Sequence, residues 1–367
     1  MKMTLLTILP SLTITDDPLI RFNLYMSIGF VGVTLGLFAF ILISRLRDGF
    51  RYTKQKNDEL AIQSFLTAYI FEESTDEEAI ASFAQQYVAN KGRRQILIEN
   101  IVSLHKNLIG ESADKLQKLF KQLGLQKYCK HKLYSDSWHV VAKGIGELAD
   151  MSIQKRSELI RTFVNHPNPT LRSEAQVALL KLNSDAPFSF LDDLKEPLLD
   201  WQQLQLARAA YKSQFLNIPN FEPWLKSPEE SIVVFCLRMI AFYGQHSASA
   251  AILNLLEHAS ARVREEAVAT LRQLEYFDAV PTLISMFNNQ DTDIQLEILK
   301  TLPTIGDNHT LPFFEKVLGM DDRRLQLAAA KAMYRSGDQG QAMIKAIKND
   351  PEHALQPLAA AAISYRV

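Results

Sequence analysis

The sequence predicts an all-α chain in which one N-terminal transmembrane helix is followed by an α-solenoid of stacked helix pairs. Three observations carry that prediction. Residues 22–44 contain no charged side chain. Beyond Asn165 an apolar pattern returns at a constant interval, within the range of helical-repeat periods. No run of alternating apolar and polar residues is long enough to specify a strand.

A chain of 367 residues is too long for one ordinary core and suits two domains or one extended stack. Its hydrophobic content of 47% is that of a folded protein. The formal net charge of -1 gives no global bias toward nucleic acid. The two cysteines, Cys129 and Cys236, have no C-x-x-C spacing and read as reduced, packed thiols in a reducing compartment.

The run from Leu24 to Ile43, LYMSIGFVGVTLGLFAFILI, spans about 30 Å as a helix, the thickness of a bilayer's hydrocarbon core. A cleaved signal peptide is the rival reading, but Ser44, Arg45, Leu46 and Arg47 follow the run where a small-residue cleavage site should stand. Residues 22–44 are therefore expected to be a transmembrane helix and residues 1–21 an extracytoplasmic tail. Arg45, Arg47, Arg51, Lys54 and Lys56 crowd the segment 45–57 against one acid, Asp48. Positive charge stays inside, so the N-terminus should face out and the long C-terminal part the cytoplasm, as a single-pass protein of the cytoplasmic membrane. The basic linker 45–57 would also sit against anionic headgroups. Gly32-x-x-x-Gly36 fits a homodimer face, although glycines also scatter through membrane helices.

The repeats come next. Ile232, Val263, Ile294 and Leu325 each open an apolar helix, and Cys236, Ala267, Ile298 and Ala329 follow one turn on. Gly244, Gly306 and Gly337 hold one later position, with Glu275 taking the fourth, and are expected to supply a left-handed cap. Pro281 and Pro312 then open second helices, with Ala250 and Met343 in register. Two looser units precede these. Leu171-Arg172-Ser173-Glu174-Ala175 echoes Val263-Arg264-Glu265-Glu266-Ala267, and Leu204-Gln205-Leu206-Ala207 echoes Leu325-Gln326-Leu327-Ala328. A piece led by Pro351 closes the stack.

This pattern resembles the HEAT and HEAT-like repeat family, well over 166–350; within the all-α region 58–165 it extends over 60–165 only as helices of similar length. The first helices depart from many eukaryotic members in lacking a proline kink. The layout of an anchor followed by repeats is similar to bacterial membrane-anchored HEAT proteins. That resemblance implies a scaffold that binds a partner protein, in company with an assembly such as a membrane glycosyltransferase system. Some HEAT-like enzymes bind two irons through His-Glu dipeptides; none occurs here, so no enzyme, metal or cofactor is expected.

Between Lys91 and Lys132 lie ten Lys or Arg residues against Glu99, Glu111 and Asp114. Arg93, Arg94, Lys115, Lys118 and Lys121 are the candidate contacts to anionic lipid or an acidic partner. A solvated helix face is the plain alternative, and a nucleic-acid surface of the HEAT-like DNA glycosylase kind is another, opposed by the neutral pI. Gly144-Ile145-Gly146-Glu147-Leu148-Ala149 matches a dinucleotide fingerprint in letters, but inside a helical pattern with no strand before it. The eight histidines read as surface or turn residues. Helical spacing around Trp138 and Trp201 predicts core packing.

Overall fold

In the computed structural model the described residues are 18–71, 76–154, 157–213, 215 and 217–364, so the expected tail lies almost wholly outside them. The chain divides into two compact units, residues 1–125 and 126–367, and the expected start of the repeats at 166 falls inside the second. Every regular element among the described residues is helical.

The first unit holds α1 (Pro18–Phe71), α2 (Glu77–Tyr87), α3 (Lys91–Asn107) and α4 (Glu111–Gln122). α1 runs unbroken for 54 residues, about 80 Å, and includes the segment 45–57. Its most apolar window has a mean hydropathy of 2.4 and buries none of its residues, so by length and composition it can cross a membrane. Its far end differs. Ile62, Leu66 and Ile70 recur one turn apart and are buried against α3 and α4. Those helices answer with Leu97, Ile98 and Ile101, and with Leu116, Leu119 and Phe120. Asp76 and Asn90 cap α2 and α3 by accepting from backbone N–H groups of the first turn.

The second unit runs through α5 (Leu125–Lys132), α6 (Trp138–Asp150), α7 (Ser157–Arg161), α8 (Pro169–Leu182), α9 (Asp200–Ser213), α10 (Glu230–Tyr243) and α11 (Ser249–Leu255). It continues with α12 (Ala261–Gln273), α13 (Val280–Met286), α14 (Thr292–Ile305), α15 (Leu311–Leu318), α16 (Arg323–Arg335), α17 (Asp338–Asn349) and α18 (Gln356–Ser364). α10, α12, α14 and α16 begin at equal intervals, at Glu230, Ala261, Thr292 and Arg323, and are the first helices of the repeat. Ile232, Val263, Ile294 and Leu325 are buried, as are Cys236, Ala267, Ile298 and Ala329 one turn later. Each large apolar side chain so buried contributes about 1.5–3 kcal/mol. Cys236, Ala267 and Ala329 at the second position are small and let neighbouring helices approach, while Ile298 fills that place in α14. α11, α13 and α15 are the second helices, each entered through a 3-10 turn, with Pro281 and Pro312 in the first turn of the last two.

The period reaches further back than the sequence suggests, because α6, α8 and α9 begin at Trp138, Pro169 and Asp200, the same interval again. A polar staple recurs with it. The fourth residue of α8, α9, α12, α14 and α16 is Arg172, Gln203, Arg264, Gln295 and Gln326. Each donates from its side chain to a carbonyl of the preceding loop: His166, Leu198, His258, Phe287 and Met320 respectively. These bonds satisfy carbonyls between the helices, the Phe287 carbonyl also accepting from Gln290 N.

Several expectations need correction. Gly306 has a φ of -99°, so it supplies no left-handed cap. It is there for space, since a Cβ would stand 2.6 Å from Thr310 Cγ2. Pro303 lies inside α14, so one first helix does contain a proline. The echo at Leu204 is out of step by two positions: Leu204 is exposed, whereas Gln202 and Gln203 occupy the buried positions and Leu206 matches Ala329. α17 lacks the 3-10 entry and buries Ile344 instead of the residue in step with Ile252, Leu283 and Phe314. Trp138 and Trp201 are exposed rather than core, because they stand at the first and second positions of their helices, at the edge of the stack.

Candidate functional site

The basic candidates divide by what they touch. Arg45 and Arg47 are exposed along α1, while the side chain of Arg51 lies outside the described residues. Gly32 and Gly36 share a face of α1, and a Cβ on either would meet nothing within 4 Å. In the first unit Arg93 pairs with Asp58 at 3.0 Å and lies over the ring of Tyr87. Arg94 donates to the carbonyl of Val88 at 3.0 Å. Lys115 donates to the carbonyl of Ile70 and pairs with Glu111. Those three cations tie the unit together. Lys118 and Lys121 face outward from α4, Lys121 donating to Gln117 on its own helix.

The second unit carries a feature the sequence reading missed. α8 packs on α9 and α10 packs on α12, but close packing lapses between α9 and α10. The gap is a groove of about 600 Å³ lined by Ala207, Arg208, Tyr211 and Lys212 of α9 and by Arg238, Met239 and Phe242 of α10. Tyr211 and Phe242 meet edge to face across it, with ring centroids 6.2 Å apart. Both remain open to solvent, at 69% and 56% exposure. On the α10 side, exposed Arg238 donates to Gln203 and to Glu266, which fixes the guanidinium. Along α9, Trp201, Leu204, Arg208 and Tyr211 form one exposed face at helical spacing. That spacing was visible in the sequence, but the two-position slip at Leu204 turned it toward the core.

Other features resolve structurally. Gly144 allows α6 to cross α5, because a Cβ there would stand 2.8 Å from Leu133 and Lys132 and 2.9 Å from the Cys129 carbonyl. Lys132 and Glu147 form an ion pair at 2.5 Å within that crossing. The fingerprint-like glycines thus lie in a packed helix, with no phosphate loop. Burial, and next the Glu147 carboxylate, pushes the Cys129 thiol up from its ordinary value, and burial alone does so for Cys236. His166, His258 and His353 each accept a backbone N–H two residues on through Nδ1, the work of turn residues. Trp224 donates to Asp192. Among the described residues no three His, Cys, Asp or Glu side chains converge as a metal site would require.

Stacked helix pairs with an outward-facing groove define a HEAT-like helical-repeat solenoid. Among solved structures the chain has likenesses at low identity. It is similar to a mutant of Kap121p, with a TM-score of 0.52 and 13% identity over 78% of this chain and 36% of that one, so it spans little more than a third of that protein's length. Human deoxyhypusine hydroxylase follows with a TM-score of 0.31 and 16% identity, over 65% of this chain and 95% of that one. A designed armadillo repeat protein gives 0.27 and 15%, over 65% and 98%. No family model matches the chain, and no curated protein does.

Proposed function

We propose that this chain is a membrane-anchored scaffold on which a partner protein assembles. The observation that carries the reading is the succession of α10, α12, α14 and α16 at equal intervals. Their apolar positions turn inward, so their opposite faces form one continuous surface, which is what a solenoid offers a partner. The uncovered apolar window of α1, followed by exposed Arg45, Arg47, Lys54 and Lys56, supports an anchor with the repeats on the cytoplasmic side. The sequence resemblance points to a bacterial membrane assembly, such as a glycosyltransferase system, as the setting. No catalytic role is part of this reading.

Crosslinking in native membranes followed by mass spectrometry tests it. A stoichiometric protein partner is expected, and finding none in several detergents overturns the scaffold. Protease should reach the repeats in inside-out vesicles and not in right-side-out ones. A nucleic-acid surface over residues 91–132 is the weaker reading, because Arg93, Arg94 and Lys115 are engaged within their own unit. Salt-dependent retardation of DNA at low ionic strength would restore it.

A further inference from the structure

The groove between α9 and α10 differs in kind from the other first-helix contacts. Elsewhere the apolar side chains of adjacent first helices close on each other. Here Tyr211 and Phe242 stay open, with Met239 buried as the floor. The exposed face of Trp201, Leu204 and Tyr211 continues the wall along α9. A soluble surface seldom leaves so many large apolar side chains together unless something covers them.

We propose that this groove seats an amphipathic helix of the partner protein, one that presents two or three apolar side chains flanked by carboxylates. The proposal rests on the scaffold reading and names the chemistry of its partner. Size fits, since about 600 Å³ between two helices takes two or three apolar side chains of a helix lying along the groove. Charge selects the flanks. Arg208 and Lys212 stand exposed on the rim, and among the described residues neither pairs with a carboxylate. The acids nearby are already committed: Glu266 to Arg238, and Asp200 to Arg262. A cationic segment would therefore be repelled, whereas an acidic one gains two charge-assisted contacts beside a desolvated aromatic anchor. Aromatic and arginine side chains in such a setting carry most of the energy at protein interfaces.

The test uses the full chain in nanodiscs of phosphatidylcholine and a phage-displayed library of amphipathic helical peptides with randomised flanks. Selected peptides should be enriched in Asp and Glu beside the apolar positions. Phe242→Ala should weaken their binding at least tenfold, and Arg208→Glu with Lys212→Glu should do the same. Peptides with Lys flanks should bind that double variant better than the parent chain. All three side chains are exposed, so the variants should keep the parent's circular dichroism and Tm, and Phe277→Ala serves as an exposed control that leaves binding unchanged. Recovery of no peptides, flanks without acidic bias, or binding indifferent to Phe242→Ala overturns the groove. So does displacement of the peptide by phosphatidylglycerol, which would mark a lipid site. Peptides that bind elsewhere on the solenoid would sink this inference and leave the scaffold standing. Groove binding with no crosslinked partner in native membranes would do the reverse.

Discussion

Glu275 and Gly244 hold the same place in successive repeats and close the same turn, with φ of 51° and 62°. In both, the chain leaves its helix through paired reverse bonds: Tyr276 N to Leu271 O and Glu275 N to Arg272 O, and likewise Gln245 N to Ile240 O and Gly244 N to Ala241 O. This left-handed exit costs nothing for glycine and about 1 kcal/mol for a residue with a Cβ. Glu275→Gly should therefore stabilise the chain by up to about 1 kcal/mol, and Gly244→Ala should destabilise it by a similar amount. Thermal unfolding in detergent reads both, and equal signs for the two would refute the argument.

Arg272 at the end of α12 meets Glu297 in α14 at 2.5 Å, with each side chain more than four-fifths covered. Replacing Arg272 with Leu leaves the carboxylate beside only the more exposed Lys300 and should cost about 2 kcal/mol. Replacing both residues with Leu should cost less than the two single changes together. A double-mutant cycle on unfolding midpoints measures the coupling, and strict additivity would remove the pair from the account.

Gly144→Ala should destabilise the second unit by about 1–3 kcal/mol, because the added methyl enters the backbone and side chains of α5. Gly146→Ala, on another face of the same helix, meets nothing closer than 3.8 Å and should be neutral or mildly favourable. If the glycines served a ligand, the two changes would not separate this way.

The buried thiols make stability fall in alkali. Cys129 and Cys236 have folded values raised above those of an unfolded chain, so the native state keeps protons that the unfolded state gives up. Their contribution is complete below an unfolded thiol's pKa of about 8.5 and is lost as pH rises above it, at about 1.4 kcal/mol per pH unit for each thiol. The Cys129→Ser, Cys236→Ala variant should show a shallower decline in Tm above pH 9. Native protein at pH 8 should also resist iodoacetamide until denaturant is added.

How much of this could be read beforehand depended on whether buried positions carry apolar letters. Ile232, Cys236 and their counterparts do, and the regular stack was legible from them. Gln202 and Gln203 are buried too, but they are held by the Pro169 and Leu198 carbonyls, so periodicity counts them as surface and slips by two. That slip hid the groove. The basic stretch fails differently: a charge count cannot distinguish Arg93, which faces Asp58, from Lys118, which faces water.

α1 also has a mechanical meaning. One uninterrupted helix joins the Gly36 face to the Ile62 face, and no joint lies between them. At about 3.6 residues per turn, the interval from Gly36 to Ile62 sets those faces about a quarter-turn apart. Whatever spins or tips the apolar end must therefore spin or tip the first unit's core with it, like a key and its bow.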